Sequence, residues 1–169
     1  MYLKILVAAF AIAMTATSYA QTLPNPACAA AAHHQLDFWI GDWNVSVTGK
    51  DGTFATSHIE SVMNGCGIRE SYNAPTTPAG PYAGTSYSAF NRNDSHWHQF
   101  YVDTNGNSTW FTGGMEGASL TLTAPGKNGS TQKMEYRPMP DGSVRQIGTV
   151  TTDGGKTWQP GYDYTYRRK

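Results

Sequence analysis

The sequence predicts an all-β protein, an antiparallel up-and-down barrel of about ten strands with a short N-terminal helix. Three observations predict it. Turn-forming clusters recur at intervals of about 8–12 residues, the rhythm of short paired strands. The segments between them are rich in Thr, Tyr, Val, Ile and Trp, which suit a pleated, half-buried surface. Nearly all the connections are short, which favours hairpins between sequential strands over the long returns of a Greek key. A meander of this many strands rids itself of exposed edges by closing.

In chain order, residues 1–20 read as a secretory signal peptide. Lys4 precedes an apolar run from Ile5 to about Ala16, and Ser18-Tyr19-Ala20 supplies small residues before a cleavage site at Gln21. That run is short for a bilayer core of about 30 Å, so no membrane insertion is expected after cleavage. Residues 21–35 form a tail in which Ala29–Ala32 start a short helix that continues through Leu36, Phe38 and Trp39. Residues 36–169 are expected to be a single barrel domain. WNVSVT (43–48) opens it by alternating Trp43, Val45 and Val47 with Asn44, Ser46 and Thr48. The turn signals follow at GKDGT, NGCG, NRNDS, TNGN, EGAS, PGKNGS, PMPDGS and DGGK, with one longer Pro- and Gly-rich loop over 73–82. The two cysteines, Cys28 and Cys66, read as one disulfide in an exported chain, which points to the periplasm or outside the cell.

The segment DFWIGDW (37–43) sits where the helix feeds the first strand. Gly41-Asp42-Trp43 resembles the Gly-x-Trp that opens the first strand of calycin barrels, lipocalins included. The resemblance implies that Trp43 plugs the closed end and that an arginine of the terminal YDYTYRRK, Arg167 or Arg168, lies across it. Gly41 would permit the close packing at that joint. A longer series of segments resembles a family of bacterial secreted proteins: DFWIGDW, IESVMNGCGIRESY, HWHQFYVDTNG, DGSVRQ and TTDGGKTWQPGYDYTYRR, in order from Asp37 to Arg168. Tyr101 and Tyr162 stand where that family often has tryptophan and phenylalanine. The resemblance implies export and a calycin-like barrel, and it implies no catalytic residue.

Two strands carry the candidate chemistry. In GCGIRESY, alternation puts Cys66, Ile68, Glu70 and Tyr72 on one face. If that face is inward, Glu70 is a carboxylate inside a barrel and must pair, accept hydrogen bonds or take up a proton. Arg145 is the candidate partner, and a structural ion pair is the plainer reading beside a ligand anchor or an acid–base role. Glu60 raises the same question. In HWHQFYVD, Trp97, Gln99, Tyr101 and Asp103 share a face that would line a cavity with flat, partly polar surface; ordinary core filling is the alternative. His96 and His98 share the other face. The chain lacks the glycine and glutamate that accompany such a pair in cupin barrels, and no histidine follows His98, which leaves His58 as the one third ligand, so no metal is expected. Nitrobindin-type barrels hold haem by a histidine near the C-terminus, and the last histidine here is His98, so no cofactor is expected either.

TTDGGKTW (151–158) resembles the Asp-box hairpin of sialidase propellers. A single copy predicts a turn held by Asp153 with Trp158 beneath it, and no glycosidase. A formal net charge of +0 gives no reason to expect nucleic acid. Phosphate-loop, dinucleotide and Gly-x-Ser-x-Gly signatures are missing from the sequence. The leading expectation is an exported barrel that binds a small apolar or aromatic molecule through Glu70, Tyr72, Trp97, Gln99, Tyr101 and Arg145. The alternatives are an enzyme using Glu70 as acid or base, and a filled barrel with an exposed apolar patch for interactions.

Overall fold

The computed structural model describes residues 26–169. The expected signal peptide lies outside the described residues. The N-terminal helix is a run of 3-10 turns, Pro26–Cys28, Ala31–His34 and Asp37–Trp39. Ten strands follow: β1 Gly41–Val47, β2 Ala55–Val62, β3 Gly67–Ala74, β4 Tyr82–Asn91, β5 His96–Asp103, β6 Ser108–Glu116, β7 Ser119–Pro125, β8 Thr131–Pro138, β9 Val144–Thr151 and β10 Gln159–Arg168.

Every strand pairs antiparallel with its sequence neighbours, and β1 pairs with β10 to close the barrel. Closure leaves no unpaired row of backbone groups. The Trp43↔Arg168 register sets the phase of the last strand against the first. Pro160, which cannot donate to a ladder, sits where the β9–β10 register shifts between Pro160 and Tyr162.

One end of the barrel is shut. The turns before β1 fold beneath it and drive Leu36 and Trp39 into the core, both fully buried. The Trp39 ring centre lies 4.5 Å from that of Tyr136 and 6.0 Å from that of Tyr166. The Trp43 indole donates to the Trp39 carbonyl at 2.8 Å. Arg168 covers Trp43 from outside, 4.4 Å from the ring centroid, and donates to the Ile40 carbonyl at 3.1 Å. Arg167 instead donates to the Ser46 hydroxyl. Arg168 is therefore the covering arginine. Gly41, at φ 145°, has no side chain because a Cβ there would overlap the Arg168 guanidinium. The Cys28–Cys66 disulfide ties this plug to the start of β3.

The other end is open and is ringed by the β1–β2, β3–β4, β5–β6, β7–β8 and β9–β10 loops. The last of these is the Asp153 turn. Its carboxylate accepts from the Thr157 amide at 2.9 Å and from the hydroxyls of Thr151 and Thr157 at 2.7 and 2.6 Å. These donors hold Asp153 well below the ordinary carboxylate range. The Lys133 ammonium lies over the Trp158 ring at 4.2 Å.

Candidate functional site

The barrel is hollow. From the open end a cavity of about 1010 Å³ runs down to Tyr136 and Tyr166, whose rings pack on Trp39. The expectation of a filled interior does not hold. Its companion, an exposed apolar patch, is present: Tyr87, Phe100 and Trp110 are register neighbours on β4, β5 and β6, and are 48%, 42% and 57% exposed. That row faces out, away from the cavity.

Alternation builds the inner end of the cavity. Glu70 on β3 points inward between Ser57 of β2 and Ser86 of β4, and is only 3% exposed. Ser57 Oγ donates to Glu70 Oε1 at 2.9 Å, and Ser86 Oγ reaches Oε2 at 3.5 Å. Burial pushes the Glu70 carboxyl up to about 7, and the hydroxyls of Ser57, Ser86 and Tyr166 oppose that rise without cancelling it.

Two glutamines complete the floor. Gln99 Nε2 donates to Ser88 Oγ at 2.9 Å and to the Tyr136 hydroxyl at 3.1 Å. Gln146 accepts from the Tyr166 hydroxyl at 2.7 Å and donates to Met134 Sδ at 3.1 Å. Each amide is thereby oriented before anything enters, as a preformed binding surface requires.

Tyrosines make the walls. Tyr72, Tyr82, Tyr101, Tyr162 and Tyr164 line the cavity above the floor formed by Tyr136 and Tyr166. The hydroxyls of Tyr82 and Tyr101 meet at 2.6 Å, and Tyr82 also reaches Asp103 at 3.3 Å. The rings of Tyr162 and Tyr164 stack at 5.0 Å between centroids. Two glycines make room for this wall. A Cβ on Gly84 would overlap the ring and hydroxyl of Tyr101, and one on Gly148 would overlap the ring of Tyr162. Burial raises the pKa of Tyr72, Tyr101 and Tyr162 above the ordinary value. Asp103, at the mouth, is held below its ordinary value, the amides of Asn107 and Asn105 outweighing the opposing push of burial.

Glu70, Tyr72, Gln99 and Tyr101 thus meet in one cavity, as their strand patterns predict. Two residues assigned to it do not belong. Arg145 lies on the outer face, where it pairs with Asp163 through Nε at 2.8 Å and a second contact through Nη2. Its neighbours Val144 and Gln146 are the buried positions of that strand, so alternation turns Arg145 outward. Glu70 therefore has no arginine partner, and the structural ion pair is replaced by two serine hydroxyls. Glu60 is also outside, paired with Arg69. Trp97 is buried below the cavity rather than lining it: its indole donates to Gln35 Oε1 at 3.0 Å and packs near Phe90. It belongs to the closed end because it begins its strand there. His98 hydrogen-bonds Asp94 at 2.8 Å on the outer face, and His58 bonds Asp42 at 2.8 Å.

Sequence reasoning missed Tyr82, Tyr136, Gln146, Tyr162, Tyr164 and Tyr166. The signal was present as period-two spacing, Met134 with Tyr136 and Tyr162-Tyr164-Tyr166. Once Trp43 is placed inward opposite Arg168, the phase of β10 follows.

Fold and site together define a closed ten-stranded antiparallel barrel with an open, tyrosine-walled cavity and a buried carboxyl at its inner end. The chain matches no family model, and no curated protein is close enough in sequence to count as a relative.

Proposed function

We propose that this protein is an exported barrel that binds a small aromatic molecule in its cavity. The observation that carries the reading is the cavity itself: about 1010 Å³, open at one end, with tyrosine walls and pre-oriented amides at its floor. Such a volume falls at the upper end of the range of small-molecule pockets, and flat rings bury area with little loss of conformational freedom. The loop that joins β3 to β4 contributes Thr77, Ala79, Gly80 and Pro81 to the mouth, which makes it the entry edge. The Cys28–Cys66 disulfide supports an oxidising compartment. The ordered segments from Asp37 to Arg168 support membership of the bacterial secreted family that they resemble.

The test is a titration with the neutral aromatic dye N-phenyl-1-naphthylamine, together with native mass spectrometry of protein taken from its own source. Saturable one-to-one dye binding and a retained small mass are expected. No saturable binding and no retained mass would overturn the reading.

A second reading is proton transfer by Glu70 to or from a cavity-bound substrate. The position of its pKa at about 7 favours this, since an acid or base works best near ambient pH. Direct NMR titration of the Glu70 side-chain carbon tests it: an ordinary carboxylate value ends this reading.

A further inference from the structure

We infer that the cavity selects aromatic ligands bearing a protonated amine, with Glu70 as the counter-charge at its inner end. The inference rests on the binding reading above and assigns the chemistry of the bound molecule.

The charges around the cavity are one-sided. Its lining carries two carboxyl groups, Glu70 and Asp103, and one cation, Lys127, which stands in the β7–β8 loop at the mouth. The arginines next in sequence to the lining residues Glu70 and Gln146 turn outward, Arg69 onto Glu60 and Arg145 onto Asp163. Glu70 therefore faces the cavity without a cationic partner among the described residues. A carboxylate offers about four lone-pair sites. Glu70 accepts from two serine hydroxyls, one of them only at 3.5 Å, and the Tyr166 hydroxyl beside it gives its proton to Gln146 at 2.7 Å. Capacity remains for a donor that arrives with the ligand.

The groups facing Glu70 reinforce the choice. β2 and β4 present Ser57 and Ser86. The titratable side chains whose charge couples to it are all tyrosines: Tyr72, Tyr82, Tyr101, Tyr136, Tyr162 and Tyr166. Burial raises all of them, so they stay neutral where amines are protonated. Their ring faces attract cations. An ammonium group is thus met by ring quadrupoles along the walls and by a carboxylate at the end. A carboxylate-bearing ligand meets that carboxylate as a like charge, and a neutral ligand gains the rings alone. Burial of Glu70 has a further consequence. A cation beside it favours its ionised form, so binding near pH 7 draws off the Glu70 proton.

The experiment uses three indoles of matched shape: tryptamine as cation, tryptophol as neutral analogue and indole-3-propionate as anion. Each competes with N-phenyl-1-naphthylamine on the whole chain at pH 7.5. Tryptamine is expected to displace the dye at least tenfold more tightly than tryptophol, with indole-3-propionate weakest. In Glu70→Gln the tryptamine-to-tryptophol preference is expected to fall below threefold. Calorimetry of tryptamine binding in buffers of different ionisation enthalpy is expected to show proton release at pH 6.5. Equal or better displacement by tryptophol or indole-3-propionate overturns the inference while leaving a ligand-binding cavity, as does failure of tryptamine to displace a bound dye. If the dye itself does not bind, the cavity reading falls and this inference with it. The comparison within the wild-type protein stands even where the variant folds poorly.

Discussion

The guanidinium of Arg168, the last residue of β10, lies over the indole of Trp43, the third residue of β1, at 4.4 Å from the ring centroid. This contact joins the two ends of the barrel sequence at its closing seam. Arg168→Ala is expected to cost about 1–2 kcal/mol, from the cation–π contact and the apolar stem that shields the indole. Arg167→Ala, which removes one hydrogen bond to Ser46, is expected to cost under about 1 kcal/mol. Urea unfolding of both variants measures the difference. Equal losses would show that the seam does not distinguish the two arginines.

Stability should depend on pH through Glu70. Its carboxyl binds a proton more tightly in the folded chain, at about 7, than in the unfolded one, near 4.5. The native state therefore holds more protons than the unfolded state between these values, and unfolding free energy falls as pH rises through them. Stability from this group is full below about pH 4.5 and is lost by about pH 7, a difference on the order of 3 kcal/mol. Glu70→Gln should flatten that slope. Denaturant unfolding from pH 4.5 to 8 for both proteins isolates the term, since all other groups are shared. An unchanged slope in the variant would assign the pH dependence elsewhere.

The plug depends on the disulfide. Cys28 and Cys66 are separated by 38 residues. The loop-entropy relation then gives about 4 kcal/mol of stabilisation. Cys28→Ser with Cys66→Ser is expected to lose roughly that amount and to loosen the turns that seat Trp39. A fall in unfolding free energy together with faster hydrogen exchange of the Trp39 indole is the expected result. Exchange unchanged from wild type would mean that Trp39 and Leu36 hold the plug by packing alone.

The tyrosine wall should be sensitive to its glycines. Gly84→Ala puts a methyl into the space of the Tyr101 ring, and Gly148→Ala does the same to Tyr162. Overpacking of this kind costs about 1–3 kcal/mol. Because both rings face the cavity, each substitution should also weaken dye binding severalfold. Gly114→Ala, where a Cβ meets nothing, is the control and should leave dye binding unchanged.

Much of this arrangement was legible in the residues. Turn clusters divided the chain into the observed strands, because a hairpin needs Gly, Asn or Asp at its corner whatever surrounds it. Alternation in GCGIRESY and HWHQFYVD put Glu70 with Tyr72, and Gln99 with Tyr101, on one face of each strand, because a pleat sends successive side chains to opposite faces. The same rule, applied to DGSVRQ, would have sent Arg145 outward beside its inward neighbour Gln146. Trp97 shares the inward face of Gln99 yet lies under the floor, since facing in does not say how far along the barrel a residue sits.

Sequence alone was enough for the approximate strand count, the antiparallel meander, the shared face of Glu70 and Tyr72, and the disulfide. These depend on local spacing and on residue types with few alternatives. The closed barrel was needed to show that Arg168 rather than Arg167 covers Trp43, that the Glu70 face is the inner one and rests on serines rather than on Arg145, and that the interior is hollow. Each of these turns on register between strands distant in sequence and on the summed volume of inward side chains. A local pattern carries neither quantity. DFWIGDW shows both sides: its tryptophans read correctly as architecture, while the cavity above the tyrosines on which they pack appears only when the barrel is shut.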